Sequence, residues 1–283
     1  MNPLDLPGPL FLLFYLVLVG WLALIVGMVR YRIELGPIPR IDLSDPYRLA
    51  YLRGGHRELI NVAIFAMIDR TLLVLAKDPR KVVAASPQAI HSVLHPVERE
   101  VLAMCSWPQD VGWLLRYRSA AVDSRHYEGE LQSLGLLPDQ AQTLQRAALF
   151  ASAAVIAGAV GYAKIAIGLE RERPVELLLL LMILLFLALK AILFPRRTSL
   201  GSRVLKDLQL LVEPILLRRL VPGAATGEAA LVAALLGPTV LPEAFYFVDH
   251  VMPGWGRQAD DGGDGGGGGC GGGCGGGCGG CGS

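Results

Sequence analysis

The sequence predicts a mainly α-helical, polytopic membrane protein. It carries a small, mostly helical, winged-helix-like cytoplasmic domain with a short β-hairpin, and a disordered C-terminal tail. Three observations predict this. The chain is 53% hydrophobic and only 18% charged, with mean hydropathy +0.46, which is more apolar than an ordinary water-exposed chain. Three stretches are long and apolar enough to cross a bilayer, which takes about 20 residues. The last 22 residues hold 16 of the 34 glycines and four of the five cysteines. That composition offers little to bury and a maximal loss of backbone entropy on ordering.

After a short external N-terminus (1–9), residues 10–29 form the first span and contain no charge. A cleaved signal peptide needs a basic n-region, and residues 1–9 have no Lys or Arg, so this segment reads as an uncleaved anchor. The second span, 147–169, carries one charge, Lys164, near one end; the third, 175–194, has Glu176 and Lys190 near its two ends. Lysines so placed snorkel to headgroups. The small residues from 151 to 161 suit close helix packing. The link 170–174 is short enough to make the last two spans a hairpin.

Basic residues set the orientation. Arg30, Arg32 and Arg40 follow the first span, Arg146 precedes the second, and Arg196, Arg197, Arg203 and Lys206 follow the third. The N-terminus is therefore outside, and residues 30–146 and the C-terminal region face the cytoplasm of a bacterial inner membrane. The tail cysteines then sit in a reducing compartment, free or metal-bound rather than disulfide-bonded.

Within 30–146, Asp45-Pro46 is an N-cap followed by a proline at the first helical position, and Gly54-Gly55 ends that helix. A second helix, about 57–69, places Ile60, Ile64, Met67 and Ile68 at helical spacing. Residues 72–76 and 82–85 read as strands around the turn Lys77-Asp78-Pro79-Arg80; two helices and a hairpin resemble part of a winged helix. Ser86-Pro87 opens a helix to about Leu94, His95-Pro96 opens another over 97–105, and 110–117 and 124–134 give two more, the last closed by Gly135. Beyond the third span, 195–258 is a helical cytoplasmic or interfacial region. Residues 199–220 form a basic amphipathic helix broken at Pro214, and 228–251, interrupted by Gly237-Pro238 and Pro242, packs on the domain or the interface rather than spanning.

The candidate chemical residues are in the tail (259–283): Cys270, Cys274, Cys278 and Cys281, separated only by glycine. Four thiolates can bind Zn tetrahedrally, and soft ligands also suit Cu(I). Ordering about 12 residues at roughly 1–2 kcal/mol each costs on the order of 12–24 kcal/mol, against about 10–16 kcal/mol from structural zinc, so a rigid finger is disfavoured. The tail can also be read as a substrate for cysteine modification or as an inert repeat. His91 and His95 stand four apart, near Glu98 and Glu100, but no H-E-x-x-H motif is present and Pro96 breaks the helix; they read as helix-end polar residues. Cys105 reads as a small core residue. His56, His126 and His250 have no evident partner. No P-loop, dinucleotide fingerprint, nucleophile elbow or paired-carboxylate signature occurs. The net +2 of residues 30–146 (15 basic, 13 acidic) is too small for strong phosphate neutralisation, so no nucleic acid is expected.

Several segments together carry a resemblance. They are Leu49-Ala-Tyr-Leu-Arg-Gly-Gly55, Arg57-Glu-Leu-Ile-Asn-Val-Ala-Ile-Phe-Ala-Met-Ile-Asp69, Leu72-Leu-Val-Leu75, Leu94-His-Pro-Val-Glu-Arg-Glu-Val-Leu102, Glu130-Leu-Gln-Ser-Leu-Gly-Leu-Leu137, Pro195-Arg-Arg-Thr-Ser-Leu-Gly201 and the Gly/Cys tail. In this order they resemble an uncharacterised family of bacterial membrane proteins, which pair such a domain and a helical hairpin with a Gly/Cys-rich C-terminus. The resemblance implies membrane location and architecture and brings no catalytic residue. The expected role is a non-enzymatic, membrane-anchored scaffold or interaction protein with the lipid bilayer and a cytoplasmic protein as partners. A soft-metal- or thiol-handling membrane protein is the alternative.

Overall fold

A computed structural model describes residues 7–39, 45–76, 78, 80–86, 90, 93, 95–116, 124–170, 176–216, 227–242, 245, 247–252 and 255. Three long helices dominate it. α1 is Gly8–Glu34, and two further apolar helices, Gln140–Glu170 and Glu176–Leu193, pack against it. All three are long and apolar enough to cross a membrane. Their contacts run in register. Phe11, Tyr15 and Val19 pack with Ala157 and Leu178, and further along Val26 packs with Ala153, Leu189 and Leu193. The alanines let the backbones approach, and the Tyr15 hydroxyl donates to the Ala157 carbonyl at 3.1 Å. Large side chains such as Leu13, Trp21, Val155 and Leu180 face outward.

The body beside this bundle is built around one helix. α2, Pro46–Gly54, starts as its sequence demands: Asp45 Oδ1 accepts from the N–H of Tyr47 at 2.9 Å and of Arg48 at 3.4 Å. Gly55, at φ 73°, turns the chain into α3, His56–Asp69. Leu59, Ile60, Val62, Ala63, Ile64, Phe65 and Met67 of α3 are all at most 1% exposed. A helix apolar on every side belongs in a core, and fully burying each large side chain contributes about 1.5–3 kcal/mol.

β1 (Leu73–Leu75), β2 (Lys81–Ala84) and β3 (Gln109–Asp110) make an antiparallel sheet in that order, with Val74 opposite Val83 and Val82 opposite Gln109. The hairpin follows the sequence expectation; the third strand does not. Asp110 was expected to open a helix, but it pairs with Lys81 while its Oδ1 accepts from the Trp113 N–H at 2.8 Å. It thus ends the strand and caps the turn that follows. α4 is Pro96–Met104, α5 Val111–Arg116 and α6 Arg125–Ser133. α7 and α8 are the two apolar helices Gln140–Glu170 and Glu176–Leu193.

α9, Ser199–Leu216, continues through Pro214 rather than breaking there. α10 (Glu228–Leu235) packs on α2, α3 and α9, and α11 (Phe247–Val251) follows. Val232, Ala233, Ala234 and Leu235 are fully buried, and the apolar side chains of α9 to α11 share one core with α2 to α6. The segment after the third apolar helix is therefore part of the body. The tail, the link 171–175 and most of the helix expected over 86–94 lie outside the described residues.

Candidate functional site

The junction between the three long helices and the body is a buried ionic cluster centred on Glu34, the last residue of α1. Glu34 is 4% exposed and Arg146 of α7 is equally buried. Glu34 Oε1 accepts from Arg30 Nε at 2.9 Å and from Arg146 Nε at 2.8 Å. Its Oε2 accepts from the Ser199 backbone N–H at 2.7 Å and from the Ser199 hydroxyl at 2.8 Å. Ser199 opens α9, so the carboxylate sits on the electropositive end of that helix and satisfies one of its orphan donors.

The guanidiniums also take up the carbonyls around the end of α8. Arg30 Nη1 donates to Ile192 O, and Arg146 Nη1 donates to Pro195 O at 2.9 Å. Thr198, fully buried, donates its hydroxyl to Gly135 O at 2.8 Å and accepts from the Gly201 N–H at 3.0 Å. One carboxylate thereby joins α1, α7 and α9 and, through its arginines, the end of α8. Sequence reading assigned Arg30 and Arg146 only to the flanks of spans. Arg30 and Glu34 stand four apart on one helix, a spacing visible in sequence, whereas the pairing of Glu34 with Arg146, 112 residues away, is not.

At the other end of the bundle, Lys164 Nζ stands 4.7 Å from the centre of the Phe11 ring. From Phe11 to Arg30 is 19 residues of continuous helix, a rise of about 28 Å. That matches a hydrocarbon layer of about 30 Å, with charged side chains at both edges.

A second polar cluster lies within the body, where His95 meets Asp45 and Tyr127. His95 Nε2 is 3.2 Å from the Tyr127 hydroxyl and 3.8 Å from Asp45 Oδ1. The Tyr47 ring centre is 4.2 Å from that of the imidazole. Tyr47 donates to Glu98, which also pairs with Arg70. Burial works to raise the Asp45 carboxyl, but His95 and the two α2 N–H groups outweigh it and hold the group below its usual range. Burial, then Glu98, pushes the Tyr47 phenol well above the ordinary value. Glu98 is therefore a core acceptor. His91 lies outside the described residues, so the i, i+4 pair is not formed from described atoms. Tyr51 stacks on Tyr127 at 6.3 Å, and Arg196, just beyond α8, lies 5.2 Å over the Tyr51 ring. The chain matches no family model, no curated protein and no solved structure.

The third feature holds the C-terminal segment. Trp255 Nε1 donates to Glu58 Oε1 at 2.8 Å, and Arg53 Nη1 reaches the same oxygen at 3.0 Å and Ala233 O at 2.9 Å. The Trp255 ring packs on Phe65 at 5.9 Å. Gly237, at φ 90°, passes Arg53 so closely that a Cβ would lie 2.3 Å from Nη2.

Cys270, Cys274, Cys278 and Cys281 lie outside the described residues. Among the described residues no group of three or more His, Cys, Asp or Glu is placed to hold a metal ion. Cys105 is fully buried, and burial pushes its thiol up to about 12. His56 is half-buried at the start of α3, His126 is exposed with its ring 5.9 Å from that of Tyr127, and His250 is exposed on α11.

Proposed function

We propose that this protein is a non-enzymatic, membrane-anchored scaffold or interaction protein of the bacterial inner membrane, allied to the Gly/Cys-tailed family it resembles. In this reading α1, α7 and α8 span the bilayer, the N-terminus is outside, and the body and tail face the cytoplasm. The body is winged-helix-like in the order of α2, α3 and the β-hairpin, but α3 is buried on all sides and so unsuited to enter a DNA groove. That favours a protein partner over nucleic acid.

The observation that carries the reading is the Trp255–Glu58 bond. Glu58 stands against Gly54, and the neighbouring Gly55 lies under the Arg196 guanidinium. Arg196 also donates to the Tyr51 carbonyl at 3.1 Å. The last described residue before the Gly/Cys tail is thus fixed beside the end of the third apolar helix. A thiol array attached there is presented next to the bilayer from a rigid mount. Comparing the proteins captured by the full chain and by one lacking residues 262–283 tests this. Loss of partners on truncation is expected; identical partners overturn the display role. Labelling intact cells with a membrane-impermeant thiol reagent tests orientation, and reaction of the tail overturns the cytoplasmic placement.

Four closely spaced soft ligands support a second reading, in which the tail captures Zn or Cu(I) or is a substrate for cysteine modification. Mass spectrometry of the protein from cells with normal zinc and copper tests it. Bound metal or modified cysteines support it, and a metal-free, unmodified tail removes it.

A further inference from the structure

α9 buries one side and leaves the other uncovered. Leu200, Val204 and Leu205 are buried in the core of the body, and Gln209 Nε2 donates to Leu235 O at 2.6 Å. Arg203, Lys206, Asp207, Leu210 and Leu211 are exposed. The apolar stripe of this amphipathic helix is therefore spent on the body, yet two leucines remain outside, Leu210 at 71% and Leu211 at 66% exposure. With Arg203 and Lys206 beside them they form a small apolar patch with a basic border.

The placement of this side narrows its occupant. Ser199, Arg203, Lys206 and Leu210 stand at i, i+4, i+7 and i+11 and so share one stripe of the helix. That stripe begins at the edge of the bundle, where the Ser199 hydroxyl donates to Glu34 Oε2 at 2.8 Å and lies 3.5 Å from Arg30 Nη2. Leu210 is about 16 Å along the helix from Ser199. The chain leaving α1 runs beside the same helix, since a Cβ on Gly36 would lie 3.7 Å from Leu200 Cδ2, and it brings exposed Leu35 and Ile38 with it. Arg32, Arg203 and Lys206 outnumber Asp207 on this exposed edge. Cations interleaved with exposed leucines at the end of an apolar bundle complement an anionic bilayer surface, where charged heads meet phosphates and leucines leave water.

We propose that the outer stripe of α9 lies on the anionic surface of the bilayer. Arg203 and Lys206 meet lipid phosphates, and Leu210 and Leu211 enter the boundary between headgroups and acyl chains. Because α10 packs on α9, this contact also holds the body against the membrane. The assignment rests on the membrane-spanning reading above.

The test uses full-length protein in nanodiscs, with the photoreactive residue p-benzoylphenylalanine placed at Leu210 or, separately, at Leu180, an outward residue of α8. Irradiation followed by mass spectrometry identifies what each probe joins. In phosphatidylglycerol the Leu210 probe should give lipid adducts. Arg203→Gln combined with Lys206→Gln should lower that yield at least fivefold, the factor given by about 1 kcal/mol per basic residue at an anionic surface. Phosphatidylcholine in place of phosphatidylglycerol should do the same. A Leu210 probe that joins only protein overturns the proposal, because the stripe is then covered by this chain or a second copy. A yield that neither the lipid nor the substitutions change overturns the anionic surface as the occupant. Lipid adducts at Leu180 with none at Leu210 defeat this proposal alone, whereas none at either position defeats the spanning reading.

Discussion

Glu34 and Arg146 form a buried ion pair in which Glu34 Oε1 lies 2.8 Å from Nε and 2.7 Å from Nη2. The pair fixes the end of α1 to the start of the apolar part of α7, and through Ser199 it fixes both to α9. Removing one partner of a buried pair strands the other charge. Glu34→Ala leaves Arg30 and Arg146 uncompensated and is expected to destabilise the protein by about 3–5 kcal/mol. Thermal unfolding in detergent measures this, and an unchanged midpoint rejects the pair as a structural lock.

Gly201 tests how tightly α9 is seated. A Cβ at this position would stand 2.2 Å from the Leu136 carbonyl oxygen, a backbone atom that cannot swing away. Gly201→Ala therefore loses about 1–3 kcal/mol through overpacking, although alanine is the better helix former. A stabilised variant in the same unfolding assay contradicts the close approach.

Trp255→Phe keeps an aromatic ring on Phe65 but removes the N–H donated to Glu58. Losing a hydrogen bond to a charged acceptor costs about 1.5–3 kcal/mol. Limited proteolysis is the direct readout: cleavage between residues 236 and 255 rises in the variant, and an unaltered pattern shows that the indole bond does not hold the C-terminal segment.

Asp45 gives a pH dependence of defined sign. Its carboxyl is held below the ordinary value, so its contribution to stability is present above the unfolded value, about 3.9, and is lost as pH falls through the folded value. Asp45→Asn preserves capping and removes this titration. The wild-type midpoint should fall more steeply than that of the variant below about pH 4; parallel curves refute the assignment.

Cys105 provides a labelling test. With burial pushing its thiol up to about 12, almost no thiolate exists at neutral pH, and the thiolate is the reactive form. Iodoacetamide should leave Cys105 unmodified in the folded protein and alkylate it after denaturation, as peptide mapping would show. Labelling in the folded state would place Cys105 outside the core.

Much of the fold is legible along the chain because its signals are local. Asp45-Pro46 announces the cap of α2, Gly55 and Gly135 take the positive φ that ends their helices, and the two apolar runs 72–76 and 82–85 around the turn Lys77-Asp78-Pro79-Arg80 give the hairpin. The three long helices follow from apolar length alone. Asp110 misleads because a residue that pairs in β3 and caps the following turn looks, in sequence, like any helix-opening aspartate.

What the sequence determines by itself is therefore the set of elements, the apolar bundle and the composition of the tail, since each depends on neighbours within a few residues. The tertiary structure alone decides the sites. Glu34 meets Arg146 and Ser199 across 112 and 165 residues, Trp255 meets Glu58 across 197, and His95 meets Tyr127 across 32. A charged or aromatic side chain carries no mark of its distant partner. Only packing brings the two close enough for a buried charge to be compensated and a buried donor satisfied.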